Sequence, residues 1–79
     1  MGAAYRPSLD AQVQEIMAAE CDYIARNLST PGSLARVRVS AETAQAFGFS
    51  EMARLLRAGA FATDLAAALF DHARILRGE

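Results

Sequence analysis

The clearest pattern along the chain runs from Leu9 to Leu28. Apolar side chains fall at Leu9, Val13, Ile16, Met17, Cys21, Ile24 and Leu28, at steps of three and four, with Gln12, Gln14, Glu15, Asp22 and Arg26 mostly elsewhere. That period puts them on one face of an α-helix over 9–28. Ser8 is a good N-cap for it, and Asp10 suits the positive end of the helix dipole. Ser29, Thr30, Pro31 and Gly32 stop it. A second long helix is predicted over 62–77, with Leu65, Leu69, His72, Ala73 and Leu76 at the same steps. Thr63 is its candidate cap and Ala60 its earliest start. Arg74 and Arg77 sit in its final turn, opposite the negative end of the dipole.

The middle of the chain is patterned differently. Ala35, Val37 and Val39 alternate with Arg36 and Arg38, a period of two that reads as an extended segment at 35–39. A run this short also fits an irregular link or part of a helix. Ser40 is the candidate cap of a short helix over 41–47, closed by Gly48 in a left-handed conformation. Ser50 caps another over 51–58, with Met52, Leu55 and Leu56 on its apolar side and Gly59 at its end. The predicted fold is therefore all-α: a small bundle of three to four helices, two long and two short. Residues 1–7 form a flexible arm, and residues 8–79 a single helical domain.

Composition sharpens this picture in three ways. The chain has 79 residues, of which 53% are hydrophobic, so it folds around a thin core and is too apolar to stay disordered. So much apolar surface on so small a body points to burial against another chain, and a homodimer is expected. Ala11, Ala18 and Ala25, spaced by seven on the first helix, would let a second helix approach closely and mark one candidate seam. Alanine is also simply a good helix former in an alanine-rich chain. Met52, Phe61 and Phe70 are the other candidate contacts with a partner protein.

The net charge is −1, which favours no bulk affinity for polyanions. All eight cations are arginine, and they are unevenly placed. Residues 33–60 hold four arginines against two glutamates, whereas the flanking segments are both net acidic. The single cysteine, Cys21, excludes an internal disulfide and reads as a small core residue in a cytoplasmic protein. No signal peptide and no apolar run long enough to cross a bilayer is seen, so no membrane association is expected.

Catalytic chemistry has little to build on. One histidine, no metal-ligand spacing, no glycine-rich phosphate loop and no nucleophile elbow lead to the expectation of a non-enzyme without cofactors or metals. His72 reads as a partly buried imidazole.

Two DNA-binding patterns are partly matched in the middle segment. Ser40 to Arg57, with Ala44, Gly48, Phe49 and Ser50, resembles a helix-turn-helix. Arg54, however, stands where that family carries an apolar residue, and Leu55 and Leu56 follow it. The run RVRVSAET followed by GFSEMARLLRAG resembles a ribbon-helix-helix, which would place Arg36 and Arg38 in the major groove. Its first helix would be about half the usual length. Two functions are thus expected in order. The first is a small homodimeric protein-interaction module, an adaptor or an inhibitor docking on a larger protein machine, of the kind phages and mobile elements encode. The alternative is a dimeric DNA-binding regulator using Arg36, Arg38, Arg54 and Arg57.

Overall fold

The computed structural model describes residues 9–59 and 64–79. The expected arm at 1–7, the cap at Ser8, the cap at Thr63 and the contact residue Phe61 lie outside them. Among the described residues four helices follow one another: α1 (Leu9–Arg26), α2 (Ser33–Ala46), α3 (Ser50–Ala58) and α4 (Leu65–Leu76). The fold is all-α, a small helical bundle. Its main pairings are α1 with α4 and α2 with α3, with lighter contacts of α3 on α4 and α1 on α2.

The expected extended segment at 35–39 is helical, and the short helix expected over 41–47 begins at Ser33. Two causes combine. Leu34, Ala35, Arg36, Ala41, Glu42, Ala44, Gln45 and Ala46 all favour the helix, against the β-branched Val37, Val39 and Thr43. The side chains that α2 buries are Val37, Ser40, Ala41 and Ala44, at helical steps of three and four. One is polar and two are alanine, so the alternation of valines hid the true stripe. Ser40 consequently caps nothing: it sits mid-helix, buried, and donates to Glu20 Oε1 at 3.1 Å.

The link from α1 to α2 is held by its own polar groups. α1 ends at Arg26, two residues earlier than its apolar period suggests. Asn27 Nδ2 then donates to the Tyr23 carbonyl, Thr30 Oγ1 to the Asn27 carbonyl and Ser33 Oγ to the Leu28 carbonyl at 2.6 Å. These side chains satisfy carbonyls that the end of a helix leaves without partners.

The α2–α3 turn follows the expectation for Gly48. Its φ of 86° is left-handed; its N–H donates to the Gln45 carbonyl, and that of Phe49 to the Ala44 carbonyl at 2.8 Å. This pair of bonds is a Schellman ending, and glycine enters it without the Cβ penalty of other residues. The same pair recurs at Gly78 after α4. Ser50, expected as a cap, is instead the first residue of α3, and no side-chain bond caps that helix.

All four helices contribute to one core. α1 supplies Met17, Ala18, Cys21, Ile24 and Ala25; α2 supplies Val37, Ala41 and Ala44; α3 supplies Met52, Ala53 and Leu56; α4 supplies Leu65, Leu69 and Ala73. Met52, Leu56 and Leu69 are the largest fully enclosed side chains among the described residues. Each contributes about 2–3 kcal/mol by leaving water. His72 is buried beside them, as expected. The α1–α4 pair is also tied at its edge, where Arg77 donates to Asp22 Oδ2 at 2.7 Å and to Glu15. Those two carboxylates stand two turns apart on α1, so one guanidinium spans them and its pKa is raised further by the hydrogen bonds.

Candidate interaction surface

The arginines of the central segment divide into two pairs. Arg36 leaves α2 toward α1, donates through Nε and Nη2 to both oxygens of Glu20 at 2.6 and 2.8 Å, and lies 4.7 Å over the Tyr23 ring. Glu20 thus accepts from Arg36 and from Ser40, and this cluster fastens α2 to α1. On the outer side of α3, Arg54 donates to Glu51 one turn earlier, which holds that carboxylate below its ordinary pKa. Both arginines are spent on carboxylates of the same chain.

Arg38 and Arg57 are not. Neither pairs with a carboxylate among the described residues. Arg57 donates to the neutral Gln45 Oε1 instead, at 3.2 Å. Arg38 lies two residues from Arg36 and so leaves α2 on the opposite flank, toward α3. There the two guanidiniums edge one groove, whose remaining lining is Leu34, Val37, Ala41 and Leu56. Val37, Ala41 and Leu56 form a buried apolar floor, while Leu34 is 48% exposed at the wall. The Schellman turn at Gly48 produces this juxtaposition by folding α3 back along α2.

The ribbon-helix-helix likeness does not survive, because Arg36 and Arg38 stand on a helix and point to opposite flanks. The helix-turn-helix likeness keeps its two helices and its glycine turn. Its apolar phase is one residue off, as the sequence indicates: Ala53 and Leu56 are buried and Arg54 is on the outside.

The expected partner contacts fare unevenly. Met52 is 0% exposed and belongs to the core, so it is not a surface contact. Ala18 and Ala25 are likewise buried within the single chain, on the helix whose main neighbour is α4, and Ala11 is half-buried. The expected dimer seam is therefore an intrachain one. Phe70, at 38% exposed, does reach the surface of α4. The side chains missed include Leu34, Phe47 and Ile75, and also Ile16 and Val39, 60% and 59% exposed, which line the groove between α1 and α2. The spacing of Ile16 fits the inner stripe of α1, yet it is adjacent to Met17. Adjacent helical side chains diverge by about 100°, and Met17 is the one that faces inward.

Other chemistry is sparse among the described residues. No three of their His, Cys, Asp and Glu side chains gather where a metal ion could be held. The Cys21 thiol is fully enclosed; burial, then the Asp22 and Glu20 charges, push its pKa up to about 12. Such a thiol is protonated at neutral pH and is a poor nucleophile. No described helix is long and apolar enough to cross a membrane. Comparison with known protein families, with curated proteins and with solved structures finds no match to this chain.

Proposed function

We propose that this chain is a small protein-interaction module, an adaptor or inhibitor that docks on a larger protein through the α2–α3 groove. The observation that carries this reading is the groove itself: an apolar floor, an exposed leucine wall and two arginines that pair with no carboxylate among the described residues. An apolar centre with arginine at its edge has the make-up of a protein contact. The homodimer belongs to the same proposal, with its seam moved from the alanine stripe to Ile16 and Val39, two exposed apolar side chains that line one groove between α1 and α2.

The second reading, a dimeric DNA-binding regulator, draws on the same two arginines and on the helix–turn–helix arrangement of α2 and α3. Against it, Arg36 and Arg54 are already engaged by Glu20 and Glu51, so two of the four candidate nucleic-acid contacts would have to give up a carboxylate of their own chain. A photo-crosslinking residue placed at position 34 in the producing cell separates the two. The interaction module predicts a discrete protein adduct there and from a probe at the exposed position 42, one turn beyond Arg38, and the second adduct disappears when Leu34→Glu is added. Adducts to nucleic acid alone would transfer the assignment to the regulator.

A further inference from the structure

Resting on the interaction reading, we infer that the α2–α3 groove takes an acidic, amphipathic helical segment of a partner protein, which seats one bulky aliphatic or aromatic side chain between carboxylates. Three observations define this occupant. The cavity is about 170 Å³, well short of what a drug-sized ligand fills and suited to a single large side chain. Its floor of Val37, Ala41 and Leu56 offers no polar group to a sugar or phosphate, so the centre of the ligand is apolar. Its edges are two guanidiniums, from different helices, neither paired with a carboxylate among the described residues. The guanidinium fork matches a carboxylate in bidentate fashion.

The only acidic group near this rim on α2 is Glu42, one turn beyond Arg38, and no hydrogen bond joins them; arginine preceding glutamate by four is the weaker order for such a pair. A helix that presents Leu, Ile or Phe with Asp or Glu one turn before and after it would place its anchor on the floor and its carboxylates on Arg38 and Arg57. This is helix-in-groove recognition, with charge setting the choice of partner. Duplex DNA would meet the same two cations and leave the exposed Leu34 side chain uncovered.

The test is selection from a displayed library of helical peptides on the immobilised full chain, followed by titration of a recovered peptide into the isotope-labelled protein. The expected sequences carry a bulky apolar residue flanked by Asp or Glu, and they shift the amide resonances of Leu34, Val37 and Ala41. Affinity should fall with added salt, and by about tenfold in the Arg38→Gln/Arg57→Gln variant, whose exposed substitutions leave the helical circular dichroism spectrum intact. Changing the peptide carboxylates to amides should cause the same loss. Enrichment of neutral or basic peptides overturns the inference, as does an empty selection. Shifts of those amides with protein concentration alone would overturn it too, by giving the groove to a second copy. Shifts with a duplex and not with peptide would give it to DNA. If Leu34→Glu abolishes a crosslinked protein adduct while salt and the arginine variant do not matter, the interaction reading stands and the acidic occupant falls.

Discussion

Replacing Gly48 and Gly59 in turn tests what holds the α2–α3 hairpin in place. Each glycine ends a helix, but the two do so under opposite constraints. Gly48 has φ of 86° and nothing within 4 Å of where a Cβ would stand, so only the backbone conformation opposes a side chain. An L-residue in that left-handed region costs about 1–2 kcal/mol, and asparagine bears it better than alanine. Gly59 has φ of −93°, which any residue adopts, but a Cβ there would lie 2.7 Å from Leu65 Cδ1 and 2.8 Å from the Leu55 carbonyl oxygen. The leucine methyl can move aside. The carbonyl cannot, because it accepts the Gly59 N–H at 2.8 Å. Forced overpacking of this kind costs about 1–3 kcal/mol.

The prediction is therefore a pair of opposite orders, read from thermal melts followed by far-UV circular dichroism. Gly48→Ala should lower the midpoint by about 4–8 °C, the shift that about 1 kcal/mol produces in a domain of this size, and Gly48→Asn should lower it less. Gly59→Ala should lower it by at least as much as Gly48→Ala, and Gly59→Asn further still, because the larger side chain meets the same wall. A Gly59→Asn milder than Gly59→Ala would refute the steric account. A Gly48→Ala indistinguishable from wild type would refute the backbone account, and with it the Schellman ending as the device that fixes the groove.

Four further outcomes follow from particular side chains. Leu69→Ala should cost about 2–5 kcal/mol, a large share of what a domain this small possesses, and urea unfolding will show it as a lowered midpoint. Cys21 has its thiol pKa raised from 9.0 to about 12 in the folded chain, so above pH 9 the unfolded chain releases a proton that the folded one retains. Stability should thus fall as pH rises through that window, by up to about 1.4 kcal/mol per pH unit, and Cys21→Ala should flatten the slope; an equal slope in both proteins would reject it. Glu20→Ala leaves Arg36 and Ser40 without their acceptor and should cost about 1 kcal/mol, less in high salt, as denaturant melts at two ionic strengths would register. Ile16→Glu should convert a dimer to a monomer by sedimentation, and a wild-type mass that is monomeric at every concentration would remove the homodimer.

Much of this architecture is legible from residue order. The α4 stripe of Leu65, Leu69, His72, Ala73 and Leu76 is buried or half-buried in the structure, because a strongly periodic helix declares its inner face whatever it packs on. Gly48 is legible for a related reason: a left-handed position after a helix admits few residues other than glycine. The α2 stripe is not. Its inner face is made of Val37, Ser40, Ala41 and Ala44, and small or polar side chains become core only when a neighbouring helix comes close enough to cover them. Ser40 is buried because Glu20, twenty positions away, supplies an acceptor for its hydroxyl.

The candidate surface divides along the same line. Sequence alone determined that arginines concentrate in the middle of the chain and that the apolar phase of α3 is one residue away from a recognition helix. Which arginines are engaged follows only partly from order along the chain: Glu51 and Arg54 stand one turn apart within α3, whereas the engagement of Arg36 was decided by tertiary structure, since that ion pair depends on what the fold brings within reach. Glu20 engages Arg36 from another helix, Glu51 engages Arg54, and Arg38 and Arg57 are left at the edge of one groove. The alanine stripe shows the same limit: spacing by seven says that a helix can approach closely, but only the folded chain shows Ala18 and Ala25 already buried within it, on a helix whose main neighbour is α4.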